Sequence, residues 1–341
     1  MERGILARGL TKVYKTRKHR GWLRVERQEK VAVQDLTFHI PPGQVTGLLG
    51  LNGAGKTTTI KMLSTLLAPT SGELLLDGID MQRQLLEVRK RVNMIAGGER
   101  MVYWRLTGRE NLWYFGQLYN IDGNLLKRRI EELLHLVGLA DAADTVVERY
   151  SKGMKQRLQI ARGLINDPSY LFLDEPTIGL DAPIARELRQ VVRAMAESGK
   201  GLLLTSHYLH EVEELCSSIY VINQGRLIAE GSPADLKRLT SQERIIRMQL
   251  PSLPADVEAG LREMAREHMA RLEILASDEV ITVTLRHPQD LGGSAATTVV
   301  RTGGTLLKLE VVEPSLEDAI LALSDSLQRQ EQEEEVGHGT R

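Results

Sequence analysis

The stretch that most restricts this chain is Gly50-Leu51-Asn52-Gly53-Ala54-Gly55-Lys56-Thr57. It satisfies the phosphate-binding pattern G-x-x-x-x-G-K-[ST] at every fixed position. Polyphosphate is dense negative charge, so a site for it needs many donors and little side-chain bulk. Gly50, Gly53 and Gly55 let the backbone turn with its N–H groups pointing inward. A helix starting near Lys56 adds its positive end. Val45-Thr46-Gly47-Leu48-Leu49 reads as a buried strand before the loop, and Thr58-Thr59-Ile60-Lys61-Met62-Leu63 as a helix after it. The candidate cradle therefore runs from Gly50 through Asn52, Gly53, Ala54 and Gly55 to Thr58. Lys56 is expected to reach the β- and γ-phosphates and the Thr57 hydroxyl to ligate Mg²⁺. A strand feeding a helix through such a turn implies an α/β nucleotide-binding fold.

A second stretch supplies acids. Tyr170-Leu171-Phe172-Leu173-Asp174-Glu175 is an apolar strand ending in two carboxylates. A buried central strand can set Asp174 at its C-terminal edge beside the loop, where it would hold Mg²⁺ directly or through water. Glu175 would then face the γ-phosphate and polarise a water for attack. Alone, acids at a strand end are solvated termini; the phosphate loop upstream gives them a task.

Composition narrows the remaining choices. At 341 residues the chain exceeds one ordinary domain, and 42% hydrophobic residues supply a sizeable core. A net charge of −1 gives no global field toward nucleic acid or membrane, so no nucleic-acid partner is expected. The one cysteine, Cys216, cannot close an internal disulfide, which suits a reducing cytoplasm. No apolar run reaches the roughly 18 residues of a membrane span, so service to a membrane would run through a partner. Met1 to Ala7 lacks the apolar stretch of a signal peptide.

Along the chain, Ile5 to Tyr14 reads as a first strand, with Tyr14 a candidate adenine platform because of its place upstream of the loop. Residues 15–30 carry Lys15, Arg17, Lys18, Arg20, Arg24, Arg27 and Lys30 around Trp22. They fit a solvated hairpin or loop; contact with anionic headgroups is the sharper alternative. Val31 to Ile40 resumes strand alternation, Pro41-Pro42-Gly43 turns, and Gly72 to Gly78 is another short strand. Helical periodicity dominates 81–145. Leu126, Ile130, Leu133 and Leu134 give one apolar face, and Gly138 suits a helix stop.

Tyr150-Ser151-Lys152-Gly153-Met154-Lys155-Gln156-Arg157-Leu158 resembles the signature motif of the ATP-binding-cassette (ABC) ATPases, often LSGGQ or LSGGMKQR. Gly179-Leu180-Asp181 resembles the family's D-loop, His207 its switch histidine, and Arg109-Glu110-Asn111-Leu112 a stretch of its helical subdomain. The likeness spans about residues 5–235. It implies a P-loop NTPase fold: a mixed sheet core, an antiparallel β subdomain and a helical subdomain at about 81–165, within a domain of residues 1–238. It also implies two such subunits, identical or different, paired head to tail. Each ATP would lie between one phosphate loop and the partner's Ser151 and Gly153, with Asp181 at the seam. His207 would contact the γ-phosphate and help orient the water. Lys152 replaces a small residue. The family's Q-loop glutamine should fall near Gly98, where there is none; Glu99 or a water could substitute.

Beyond Gly231-Ser232-Pro233-Ala234-Asp235-Leu236, the start of a short capped helix, the pattern changes. Strands at 244–250, 272–276, 279–285 and 305–312 alternate with helices at 255–269 and 290–300. The order β-α-β-β-α-β suggests a small ferredoxin-like α+β domain at residues 239–327. Ser315 is the candidate N-cap of a final helix. EPSLEDAIL resembles the end of drug-resistance and polysaccharide exporters. Residues 328–341, rich in glutamate, read as a disordered acidic tail.

The resulting expectation is an ATPase subunit, binding ATP and Mg²⁺, that drives a separate ABC permease with transmembrane helices from the cytoplasmic face of the membrane. Export is favoured. A soluble cassette ATPase acting on ribosomes or DNA, and an importer ATPase, are the alternatives. Tyr103, Trp104, Trp113 and Tyr114 lie near the expected permease-docking surface, although such residues are more often core.

Overall fold

The computed structural model describes residues 3–20, 24–96, 102–240, 244–277, 280–312, 315–320 and 323, with the side chains of 16–28, 239, 240 and 312 outside that description. The chain divides between Pro233 and Ala234 into two compact units.

In order, the first unit holds β1 (Ile5–Arg20), β2 (Arg24–Ile40), β3 (Val45–Leu49), α1 (Lys56–Leu63), β4 (Ser71–Leu76), β5 (Ile79–Asp80), α2 (Leu85–Arg91) and β6 (Val92–Ala96). It continues with α3 (Gly108–Leu118), α4 (Gly123–Leu136), α5 (Lys152–Gly163), β7 (Tyr170–Asp174), α6 (Ala182–Glu197), β8 (Gly201–Thr205), α7 (Leu209–Leu215), β9 (Ser218–Asn223) and β10 (Arg226–Gly231). A six-stranded sheet runs β10-β9-β3-β8-β7-β6. All its pairings are parallel except the β9–β10 hairpin. Strands buried on both faces need unbroken apolar runs, and every residue of β3 and β8 is buried. Because β3, β8 and β7 are neighbours and parallel, their C-terminal ends share one edge of the sheet.

A second sheet, β2-β1-β4-β5, is antiparallel. Its Ile5, Leu10, Phe38, Ile40, Leu74 and Leu76 share one apolar cluster with Leu48, Ile60, Leu63, Phe172 and Leu203. That cluster fixes α1, and so the loop before it, between the two sheets. The basic segment 15–30 is the far end of the β1–β2 hairpin, paired from Lys15 opposite Glu29 to Arg20 opposite Arg24. Its proposed headgroup contacts and Trp22 lie outside the described side chains.

The helical region departs from expectation at one place. Val92–Ala96 is not helical: it is strand β6, paired with β7 from Val92 opposite Tyr170 to Ala96 opposite Asp174. Val92 and Ile95 are buried in the sheet, so tertiary pairing overrides a helix-like local pattern. The expected helical subdomain at 81–165 therefore contains a strand of the core sheet. Elsewhere the helices follow local rules. Thr107 and Glu110 form a reciprocal capping box at α3. Asp122 caps α4, which buries Leu126, Ile130, Leu133 and Leu134. Buried Asn111 accepts from the Tyr103 N–H at 2.7 Å and donates to the Tyr103 and Thr107 carbonyls at 3.0 and 2.9 Å. It thereby fixes the turn that carries Tyr103 and Trp104. The β9–β10 hairpin, absent from the sequence reading, turns through Gln224 (φ 47°) and Gly225 (φ 81°).

Helix α8 (Pro233–Thr240) spans the division, so the expected boundary after residue 238 falls inside it. The second unit then holds β11 (Arg244–Leu250), α9 (Ala255–Glu267), β12 (Arg271–Ala276), β13 (Ile281–His287), α10 (Gly292–Arg301) and β14 (Lys308–Val312). The sheet order is β12-β13-β11-β14, wholly antiparallel. This is the split β-α-β arrangement, with β13 between β11 and β12. Ile246, Met248, Leu250, Val283 and Leu285 pack with Val257, Leu261, Ala295 and Val299 of α9 and α10. Ser315 begins a helical turn over 316–320, its hydroxyl accepting from the Asp318 N–H at 3.2 Å. The acidic tail at 328–341 lies outside the described residues.

Candidate active site

The loop between β3 and α1 is built as the glycine spacing demands. Gly55 has φ +108°, and a Cβ there would stand 2.6 Å from the Ala32 carbonyl oxygen. A Cβ on Gly50 would stand 2.1 Å from the Ile222 carbonyl oxygen. Both approaches are to backbone, so neither position can accept a side chain without moving the sheet. Lys56 is buried, and its ammonium donates to the Gly50 and Leu51 carbonyls at 2.6 and 3.2 Å. Burial holds its pKa below the usual lysine range, while the charges of Glu175 and Asp174 pull it back up. Lys56 thus lies within reach of two adjacent acids that are far from it in sequence.

Contacts then run along the sheet edge. The Thr57 hydroxyl donates to Asp174 Oδ2 at 3.4 Å. The Thr205 hydroxyl donates to Asp174 Oδ1 at 2.7 Å. The Glu175 N–H points at Thr205, with its carbonyl at 3.0 Å and its hydroxyl at 3.2 Å. Glu175 Oε1 lies 2.7 Å from His207 Nε2. Glu175 also has φ +55°, a left-handed conformation that costs a non-glycine residue about 1–3 kcal/mol. The turn that aims this carboxylate is therefore held against a local preference. Thr205 joins Asp174 to Glu175, and the sequence reading missed it. The available signal was a hydroxyl pair, Thr205-Ser206, closing an apolar strand just before His207.

Hard oxygen donors such as the Thr57 hydroxyl and the Asp174 carboxylate fit Mg²⁺, which takes one or two carboxylates and completes its shell with water and phosphate. Among the described residues no group of three or more His, Cys, Asp or Glu could hold a metal alone, so phosphate oxygens would have to share the ion.

Tyr14 lies opposite Lys30 on β2, two residues from the Ala32 that contacts Gly55. The Lys12 ammonium sits 5.7 Å from its ring centre. Asn52 and Gly53 are exposed on the loop, and Ala54 is buried beneath it. Thr58, half-buried, is in the first turn of α1.

Ser151 and Gly153 stand apart from these groups: among the described residues no hydrogen bond or ion pair joins them to the loop. Exposed Ser151 caps α5, its hydroxyl accepting from the Met154 N–H at 3.2 Å. Gly153 is pressed against α6, where a Cβ would meet Ile184 Cδ1 at 2.4 Å. Lys152 folds back so that a Cβ on Gly179 would be 2.0 Å from its Nζ. Asp181 starts α6 without a side-chain cap bond. Gly98 and Glu99 lie outside the described residues. Tyr103, Trp104, Trp113 and Tyr114 are surface residues rather than core, 37–49% exposed. The Lys155 ammonium lies 4.8 Å from the Trp104 ring centre. No described helix is long and apolar enough to cross a membrane.

Comparison with known proteins gives consistent results. A family described as ABC transporter matches residues 33–178. A daunorubicin resistance ATP-binding protein of Streptomyces coeruleorubidus is 38% identical over 304 residues, covering 87% of this chain and 91% of that protein. The Nod factor export ATP-binding protein I of Paraburkholderia xenovorans is 41% identical over 208 residues, 61% of this chain and 68% of that one. A solved ATP-binding subunit of an ABC transporter superposes with a TM-score of 0.59 at 28% identity, covering 69% of this chain and 92% of its own.

Proposed function

We infer that this chain, which belongs to the ABC transporter family of ATP-binding proteins, is the ATP-hydrolysing subunit of an exporter and acts on a separate membrane permease. The observation that carries this reading is the run of contacts Thr57–Asp174–Thr205–Glu175–His207 at the sheet edge beside the phosphate loop. The names of the relatives, which concern drug resistance and Nod factor export, support export over import. No observation favours the ribosome- or DNA-directed alternative.

In this reading the N–H groups of residues 50–58 and the Lys56 ammonium bind the phosphates of ATP. Thr57 and Asp174 would hold Mg²⁺, whose charge would offset that of the phosphate oxygens. Glu175 accepts a proton from the water that attacks the γ-phosphorus; the bond to the bridging oxygen breaks, leaving ADP and phosphate. His207, 2.7 Å from Glu175, orients that carboxylate and the water. Tyr14 would stack on the base. Two subunits pair head to tail, so that Ser151, Gly153 and the start of α5 on one meet the γ-phosphate held by the other, with Asp181 at the seam. Closure and reopening of the pair would move the permease through the exposed Tyr103, Trp104, Trp113 and Tyr114 surface. The subunit would thus sit on the cytoplasmic face of the membrane. The second unit would support the pairing.

Affinity capture of the tagged chain from detergent-solubilised membranes tests the partner: co-purification of a polytopic membrane protein is expected. Recovery of ribosomal or DNA-repair proteins instead would overturn the transport reading.

A further inference from the structure

Behind the Glu175–His207 pair lies a buried carboxylate with no assigned part in the chemistry. Glu211, on α7, is only 2% exposed. Its Oε2 accepts from the Thr177 hydroxyl at 2.7 Å and from the Ser206 hydroxyl at 3.0 Å. Its Oε1 accepts from the Arg189 guanidinium of α6 at 3.2 Å. Burying an ionised carboxylate is costly unless opposite charge and donors meet it, and all of these do so here. Every donor comes from a different segment, so one side chain ties four segments together.

The identity of those segments matters. Thr177 is two residues beyond Glu175, in the turn that leaves β7. Ser206 is the residue before His207, at the exit of β8; its hydroxyl also accepts from the Tyr208 N–H at 3.0 Å. Glu211 therefore holds the chain just after one reacting side chain against the chain just before the other. Glu175 needs such an anchor, because its left-handed backbone conformation is not one its own residue type favours.

We propose that Glu211 is a positioning residue for hydrolysis: by clamping Thr177 to Ser206 it fixes the separation and aim of Glu175 and His207. Its hydrogen bonds go to the Thr177, Ser206 and Arg189 side chains, and its effect is transmitted through the turn on either side of the pair. The inference rests on the ATPase reading above. It places Glu211 behind the reacting groups and away from the Gly50–Thr58 cradle, so turnover and nucleotide affinity should respond differently.

The test uses the purified full chain, with steady-state hydrolysis, equilibrium binding of MgATP and thermal unfolding measured together. Glu211→Ala removes one of the two carboxylates on Arg189, leaving Glu214 as its partner, and strips the Thr177 and Ser206 hydroxyls of their shared acceptor, so it perturbs packing as well as aim. Thr177→Val is the decisive variant: it keeps the shape and the Glu211–Arg189 pair and removes one hydroxyl donor. A misplacement of about 1 Å at the reacting groups can cost up to about a hundredfold, and the loss of one donor of three should move them less, so kcat should fall about tenfold with MgATP affinity within about twofold of the parent. Thr177→Ser, which restores the donor, should recover most of the rate. The proposal is overturned if Thr177→Val turns over at the parental rate, if affinity falls in step with turnover, or if Thr177→Ser recovers nothing. A parent chain with no hydrolysis at all would instead defeat the ATPase reading itself.

Discussion

The phosphate loop with its acidic strand end and the signature turn at Ser151–Gly153 are both polar, glycine-containing and set at the start of a helix, yet they are wired differently. Around the loop the functional groups are bonded to one another: Thr57 and Thr205 to Asp174, Thr205 to Glu175, Glu175 to His207. At the signature turn the contacts are structural. Ser151 caps its own helix, Gly153 makes room for Ile184, and Lys152 lies on Gly179. The first region brings together the groups proposed above for phosphate binding and water activation. The second is a capped helix start, with Ser151 and Lys152 exposed and Gly153 buried against α6. The difference fits the proposed pairing, in which the first region would hold the nucleotide and the second would be offered to a nucleotide held by the partner.

The largest effect expected from breaking the first region is at Glu175. Glu175→Gln keeps the size of the side chain and removes its basicity, so turnover should fall by about 10²–10⁴, the usual worth of a general base. MgATP binding should survive, and the paired form should accumulate in size-exclusion chromatography with MgATP. Normal turnover in that variant would remove Glu175 from its role.

A smaller effect addresses the contrast itself. Lys56→Ala disables the loop, and Gly153→Asp, which also presses on Ile184 of α6, disables the signature turn. Each variant alone should be inactive. Mixed in equal amounts, half of the pairs are hybrids, and each hybrid has one intact site, so about a quarter of the parental rate should return in a two-fold pair. No recovery, with mixed pairs demonstrated by differential tagging, would mean that both half-sites act within one molecule or that both sites must be intact.

The smallest effect concerns Lys152. Lys152→Gly removes the side chain that covers Gly179 and adds backbone freedom at the start of α5. A cost of about 0.5–1 kcal/mol is expected, read as a fall of a few degrees in the thermal midpoint, with hydrolysis changed by no more than about twofold, the scale of such exposed contacts. A loss of hydrolysis comparable to that of Glu175→Gln would show that the lysine belongs to the reacting half-site.

Much of this organisation could be read locally. Lys56, Gly55 and Gly50 announce the loop because a tight turn of inward N–H groups needs glycine at fixed places. Ser315 could be read as a helix start because a side-chain oxygen must satisfy the first N–H groups; Thr107, Asp122 and Ser151 carry the same signal and were not read from it. The β-α-β-β-α-β succession of the second unit follows from alternation and turn spacing. Other features were not legible. Val92–Ala96 carries no clear signal that distinguishes a helix end from an edge strand, and only its pairing with β7 decides. The Gln224-Gly225 hairpin lacked the asparagine or aspartate that usually marks such a turn. Trp104 and Trp113 looked like core by composition and are surface by position.

By itself, then, the sequence determined most local conformations, β6 and the β9–β10 hairpin excepted, together with the likeness to ABC ATPases and the residue types able to handle phosphate. Whether Thr57 meets Asp174, 117 residues away, or Thr177 meets Glu211, 34 residues away, was decided only by tertiary structure. Local pattern fixes what a segment is; strand order and register fix what it faces. A hydroxyl and a carboxylate at two strand ends bond only when those strands are placed within one residue row of each other. The placement of β8 between β3 and β7 brings Thr205 against Asp174 and the Glu175 N–H, and no periodicity in the chain encodes it.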